Sequence, residues 1–211
     1  MKNLFIVGAR GFGREVYNLF LDCKGNLEDV ECKGFLDDNS SALDGFKGYP
    51  PIVSSVENYE PQENDLFIVA LGDPHAKRKY VEMVKGKGGK FLTLVHPTAM
   101  ISTNSTLGEG CLVFPNAIIS CDITIEDFVT VNAYCVMGHD VYVESYSHLG
   151  SVSTFGGFAH IGKEVTMHPK VHISPHVKVG DNAILGAGSV IIRKVPDGVT
   201  VYGNPAKKLK F

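Results

Sequence analysis

Residues 131–161 read VNAYCVMGHDVYVESYSHLGSVSTFGGFAHI, and large apolar side chains fall six apart in this stretch at Val131, Met137, Val143, Leu149, Phe155 and Ile161. Four residues after each of the first five come Cys135, Val141, Ser147, Ser153 and Ala159, all small or β-branched. An α-helix repeats its apolar face near 3.6 residues and a simple strand near 2, so neither accounts for a step of six. A coil of three short strands does. Each hexad supplies one side of a triangular prism, with the large residue filling the interior and the small one fitting near the corner. Three hexads make an 18-residue coil, and stacked coils bury a continuous column.

Outward from this stretch the count holds without a slip from Val95 and Ile101 to Leu185 and Ile191. Glycine directly follows the large residue at positions 108, 138, 150, 156, 162, 180 and 186. A turn beside the corner is expected to use the freedom of glycine in φ. Over about 95–192 this [LIV]-G-x-x-[STAV]-x pattern resembles the hexapeptide-repeat acyltransferases. The resemblance implies an all-β left-handed parallel β-helix and a homotrimer; the handedness comes from the family, since parallel crossovers elsewhere are right-handed. The tail, Arg193 to Gly198 and Tyr202 to Lys207, resembles the ends of these enzymes.

The first part of the chain has a different grammar. Leu4 to Val7 is a short apolar run ending in Gly8-Ala9-Arg10-Gly11-Phe12-Gly13, and Arg14 to Phe20 has helical spacing. Further strands are predicted at Lys33 to Leu36, ending in Asp37-Asp38, and at Leu66 to Leu71, followed by Gly72-Asp73-Pro74 and a helix through Val84. This alternation predicts an α/β Rossmann-like half domain over 1–90, ahead of a β-helix domain with its tail over 91–211. Glycines at such a turn let backbone N–H groups approach a phosphate at a helix N-terminus. The spacing is G-x-x-G-x-G, unlike the G-x-G-x-x-G dinucleotide fingerprint. A turn needed only for packing is the bland alternative, as a solvated turn is for Asp37 and Asp38.

Composition limits the other classes. With 44% hydrophobic and 20% charged residues the chain is expected to fold, and a net charge of −3 gives no broad basic surface for nucleic acid or an anionic membrane. The apolar run at the N-terminus breaks at Gly8 and reads as a strand, not a signal peptide, and no stretch is long enough to span a bilayer. Five scattered cysteines form no zinc spacing and are expected to be reduced thiols in the cytoplasm.

Joined to the hexads, the G-A-x-G-x-G turn and Asp37-Asp38 resemble, across the whole chain, the sugar acetyltransferases that include sialic acid O-acetyltransferases and UDP-4-amino-sugar N-acetyltransferases of bacillosamine synthesis. The resemblance implies acetyl-CoA as co-substrate, no metal, and a nucleotide-linked amino sugar as acceptor in bacterial glycan biosynthesis. It places nucleotide-sugar contacts at Arg10, Gly11, Phe12, Asp37 and Asp38; Phe12 stands where the bacillosamine-type enzyme has histidine. It also assigns His139 and Asp140 as the catalytic pair, aspartate replacing glutamate, and His148, Gly157 and Ala187 as acetyl-CoA contacts.

The chemistry agrees with these residue types. A thioester is already activated, so the reaction needs a base for the acceptor's proton, and histidine titrates near neutral pH. A neighbouring carboxylate orients the ring. Gly157, 18 residues after His139, is expected to leave room for the acetyl-pantetheine arm. Arg193, Lys194, Lys207 and Lys208 are candidates for CoA phosphates or simply a solvated basic tail. Two other classes compete. His148, His160, His168, His172 and His176 crowd a fold that also houses zinc-dependent carbonic anhydrase relatives, but their hexad positions share no outward row. A non-catalytic nucleotide-sugar-binding protein would keep the first domain without needing the His-Asp pair.

Overall fold

A computed structural model of the chain describes residues 1–27 and 29–209, in two compact units, Met1–Leu94 and Val95–Phe211. The first unit holds a parallel sheet built from β1 (Lys2–Val7), β2 (Val30–Leu36), β3 (Ile52–Ser54), β4 (Asp65–Val69) and β5 (Lys90–Phe91), in the order β3-β2-β1-β4-β5. Helix α1 (Gly11–Cys23) follows β1 and buries Gly13, Val16, Leu19, Phe20 and Cys23, a stripe at helical spacing. Helix α2 (Pro74–Gly86) follows β4; Pro74 occupies its first turn and Asp73 caps it, accepting from the Ala76 N–H at 2.7 Å. Every residue of β4 is buried, as a central parallel strand covered on both faces must be. The strand order reverses at β1, with β2 on one side and β4 on the other.

The second unit is the left-handed parallel β-helix that the hexads imply. Its strands are two residues long, and each pairs with the strand 18 residues on. Val136–Met137 thus pairs with Thr154–Phe155, Tyr142–Val143 with His160–Ile161, and His148–Leu149 with Thr166–Met167. These pairs stand on three faces, of six, five and eight strands. Face one runs from Met100–Ile101 to Val190–Ile191, and face two from Thr106–Leu107 to Lys178–Val179. Face three starts at Leu94–Val95 and is extended by Thr200–Tyr202 and, antiparallel to that, Lys207–Lys208. The large hexad residues from Val113 to Ile191 and the small ones from Cys111 to Ala183 form one buried column.

The corner glycines act for a reason other than the one expected. The left-handed residue of each turn lies three places after the large one and is seldom glycine: Asn116, Asp122, Phe128, Tyr134, Asp140 and their successors to Asn182 have φ between 55° and 67°. A left-handed residue costs about 1–2 kcal/mol. Each hexad offsets this by burying a large side chain worth roughly 1.5–3 kcal/mol. The glycines directly after the large residue are needed because the next coil passes close by. A Cβ at Gly108 would lie 2.6 Å from the Asp127 nitrogen, and one at Gly162 would lie 2.8 Å from the Asp181 nitrogen.

Candidate active site

Two sites emerge, one in each unit. In the first, a cavity of about 590 Å³ opens at the carboxyl ends of β1, β2 and β4, where open parallel sheets bind ligands. Arg10, Phe12, Asp37 and Asp38 line it together with Gly8, Gly13, Asp73 and Tyr80. Asp37 is first of all a brace: its carboxylate accepts from the Ala9 N–H at 2.7 Å and from the Asn39 N–H at 2.8 Å, tying the glycine turn to the end of β2. Asp38 is exposed and accepts from the Tyr80 hydroxyl at 2.6 Å, a bond that pushes the phenol up to about 12. Tyr80 was invisible as a site residue in the sequence, because only packing of α2 beside the end of β2 brings it to Asp38.

The glycines of the turn divide by role. Gly8 has φ +96°, and a Cβ there would lie 2.9 Å from the Ala70 carbonyl oxygen. A Cβ on Gly13 would collide with the Gly8 carbonyl. Both are required by the fold itself. Gly11, the position singled out in the sequence, is exposed and has space around it. Helix α1 carries no side-chain cap and no acidic residue in its first turn, so no carboxylate of its own opposes an anion at its N-terminus.

The second site lies at the prism corner between faces one and two. His139 Nδ1 is 2.8 Å from Asp140 Oδ2. A carboxylate only accepts, so Nδ1 carries the proton, and in the neutral ring Nε2 then has the lone pair. Asp140 suits the left-handed position it occupies, φ 58°. The imidazole rests on Gly157: a Cβ there would meet Cε1 at 2.7 Å and Nε2 at 2.8 Å. The space above Gly157, expected for the pantetheine arm, is thus taken by the His139 ring. Phe158 stands at right angles to that ring, centroids 5.2 Å apart, and stacks parallel on His176 at 4.9 Å.

His148 and Ala187 stand elsewhere on the prism. His148 lies on face three, opposite this corner, with Asn132 Nδ2 at 3.0 Å from its Nε2. Ala187 is exposed at the corner between faces three and one. The remaining histidines separate for the same reason: His148, His160 and His172 share a hexad position but sit two hexads apart, which turns each onto a different face. His160 Nε2 pairs with Glu144 at 2.7 Å and His172 Nδ1 with the Thr154 hydroxyl at 2.7 Å. Among the described residues no three His, Cys, Asp or Glu side chains converge as metal ligands would. On face two, burial alone would raise the Glu126 carboxyl, but hydrogen bonds from Tyr142 and Ser145 outweigh it and hold the group low. No helix among the described residues is long and apolar enough to cross a membrane.

Comparison with known proteins agrees with both units. Residues 3–84 match the PglD N-terminal domain, and residues 158–193 match the bacterial transferase hexapeptide family. A GDP-perosamine N-acetyltransferase of Escherichia coli O157:H7 is 27% identical, the match covering 99% of this chain and 97% of that protein. The acetyltransferase domain of PglB from Neisseria gonorrhoeae, solved with acetyl coenzyme A, superposes with a TM-score of 0.88 at 29% identity, over 99% of each chain. PerB from Caulobacter crescentus, solved with CoA and GDP-perosamine, superposes with a TM-score of 0.88 at 27% identity, over 100% of this chain and 98% of that one.

Proposed function

The chain belongs to the acetyl-CoA-dependent hexapeptide-repeat sugar acetyltransferases with a PglD-type N-terminal domain, and from that premise we propose that it N-acetylates a nucleotide-linked amino sugar with His139 as general base. The observation that carries this reading is the His139–Asp140 pair, whose hydrogen bond leaves Nε2 free to accept a proton at an exposed corner. Acetyl-CoA supplies an acyl group that is already reactive. The acceptor nitrogen bonds to the carbonyl carbon, the carbon–sulfur bond breaks, and the proton lost by nitrogen passes to His139 Nε2 and on to the departing thiolate. Asp140 keeps the ring in the accepting tautomer and supports its transient positive charge. The cavity at the glycine turn holds the nucleotide of the acceptor, its diphosphate facing the N-terminus of α1 and its ribose or base facing Asp38.

An oligomer follows from the same reading, and the resemblance to the hexapeptide-repeat acyltransferases makes it a homotrimer. The pair on one corner and His148 on the opposite face cannot meet within one prism, so a site that uses both is completed by a second copy. Exposed apolar side chains on and beside face one, Met100, Ile118, Tyr134, Val136 and Val152, support that association.

The nucleotide expected from the sequence is uridine, whereas two of the full-length relatives work with or hold GDP-perosamine. Thiol release from acetyl-CoA, measured with UDP-4-amino sugars, GDP-perosamine, CMP-sialic acid and free sialic acid, separates these. Turnover of a nucleotide-linked amine is the expected result. Turnover of sialic acid alone would replace N-acetylation by O-acetylation, and no thiol release with any acceptor would leave a binding protein.

A further inference from the structure

The hydrogen bond to Asp140 restrains His139 at one nitrogen and Gly157 provides the seat, but a single bond to an exposed carboxylate is a soft restraint on rotation about Cβ–Cγ, where the torsional wells are broad. We propose that Phe158, backed by His176, is the positioning residue that stops this rotation, an inference that rests on reading His139 as the base. The phenyl stands between two imidazoles. His139 belongs to the coil before it and His176 to the coil after; the first is perpendicular to the phenyl, at 86°, and the second parallel, at 5°. The Phe158 N–H also donates to the His139 carbonyl at 3.0 Å, so the same residue ties down the backbone and walls the ring.

The fold does not ask for phenylalanine here. The equivalent turn residues one coil to either side are Asp140 and His176, and Phe158 itself has φ 59°, a left-handed conformation that bulky side chains disfavour. Its side chain adds nothing to the prism interior and stays 48% exposed. A large apolar ring kept half in water on a disfavoured backbone has its ring contacts as its contribution, and those contacts are with the two histidines. A perpendicular aromatic neighbour sets a preferred ring orientation, and His176, stacked on the other side, keeps the phenyl from folding away.

The test has two arms. In the first, imidazole ¹⁵N spectra of the whole protein, with His139 assigned by comparison with His139→Ala, show Nδ1 protonated in the wild type and a mixture of tautomers in Phe158→Ala. In the second, thiol release from acetyl-CoA with GDP-perosamine or the acceptor turned over in the panel above is measured in Phe158→Ala, Phe158→Tyr and a double variant with His139→Ala. Loss of ring orientation should lower kcat roughly 10–100-fold, the cost of a displaced catalytic group, with the KM for acetyl-CoA changed less than about threefold. Phe158→Tyr, which keeps the ring, should stay within about threefold of wild type, and in the His139→Ala background Phe158→Ala should cost less than about twofold. A raised KM with unchanged kcat would make Phe158 a wall of the acetyl-CoA groove only. An unchanged His139 tautomer in Phe158→Ala, or an equal loss in the His139→Ala background, would equally overturn the proposal. If His139→Ala itself retains turnover, the base assignment fails, and the spectra still decide whether Phe158 orients the ring.

Discussion

Histidine and aspartate at adjacent positions are common on protein surfaces; what makes His139 and Asp140 a catalytic candidate is the turn that aims them. Asp140 takes the left-handed place, which brings its carboxylate back to Nδ1, while the coil above offers Gly157 as the only kind of residue over which the ring can lie. His139→Ala should lower kcat by roughly 10²–10⁴-fold, the usual contribution of a positioned base, and leave acetyl-CoA affinity nearly unchanged. Asp140→Asn should cost less, because an amide still holds the ring while removing the charge. If steady-state kinetics of the two folded variants show the reverse order, His139 is not the base. The cysteines stand at the other extreme of reactivity. Burial pushes the Cys135 thiol up to about 12, and burial reinforced by Asp22 pushes Cys23 up to about 11, so both remain thiols at neutral pH.

At the scale of the elements, the glycine turn between β1 and α1 separates what folds the unit from what meets the ligand. Gly8 and Gly13 face backbone at distances that admit no side chain, whereas a Cβ on Gly11, between the cavity-lining residues Arg10 and Phe12, would meet nothing closer than the Arg14 guanidinium at 3.9 Å. Gly11→Val should therefore fold with an unchanged melting temperature and raise the KM for the nucleotide sugar, while Gly13→Val should yield little folded protein. Thermal unfolding and acceptor kinetics check both; a Gly11→Val enzyme with its acceptor KM intact would reduce the turn to a packing device. Strands β1 and β4 are legible in the sequence as apolar runs, β2 only in its second half, from Lys33 to Leu36 ahead of Asp37-Asp38, and the two helices as segments with turn residues before them. The edge strands β3 and β5 are not, because three and two residues are too few to show any period.

For the whole molecule, the prism places the His139 corner and the His148 face on opposite sides, and an enzyme that uses both has to be an oligomer. Sedimentation should report a trimer at micromolar concentration, since closed symmetry prevents open-ended association. Co-expressing His139→Ala with His148→Ala copies should restore activity to about one quarter of the sites, each built from two intact halves of different copies. Mixed assemblies that stay inactive, or an active monomer, would show that each chain works alone.

The step of six alone determined the prism, its 18-residue coil and which side chains fill it, because a strict repeat leaves only one way to bury a large residue on every side. The strand-turn-helix signal ending in glycines likewise determined the first unit. Only the tertiary structure decided which glycines are structural, since that depends on which backbone approaches each of them: the Gly8 carbonyl at Gly13, the Ala70 carbonyl at Gly8, and the next coil at Gly108 and Gly162. It also seated His139 on Gly157, brought Tyr80 to Asp38 and set Phe158 between two histidines. These contacts join residues from successive coils or from different elements, and the pattern along the chain carries no record of side-chain direction at a corner. Spacing in sequence assigns a residue to a face; the stacking of coils then determines what it touches.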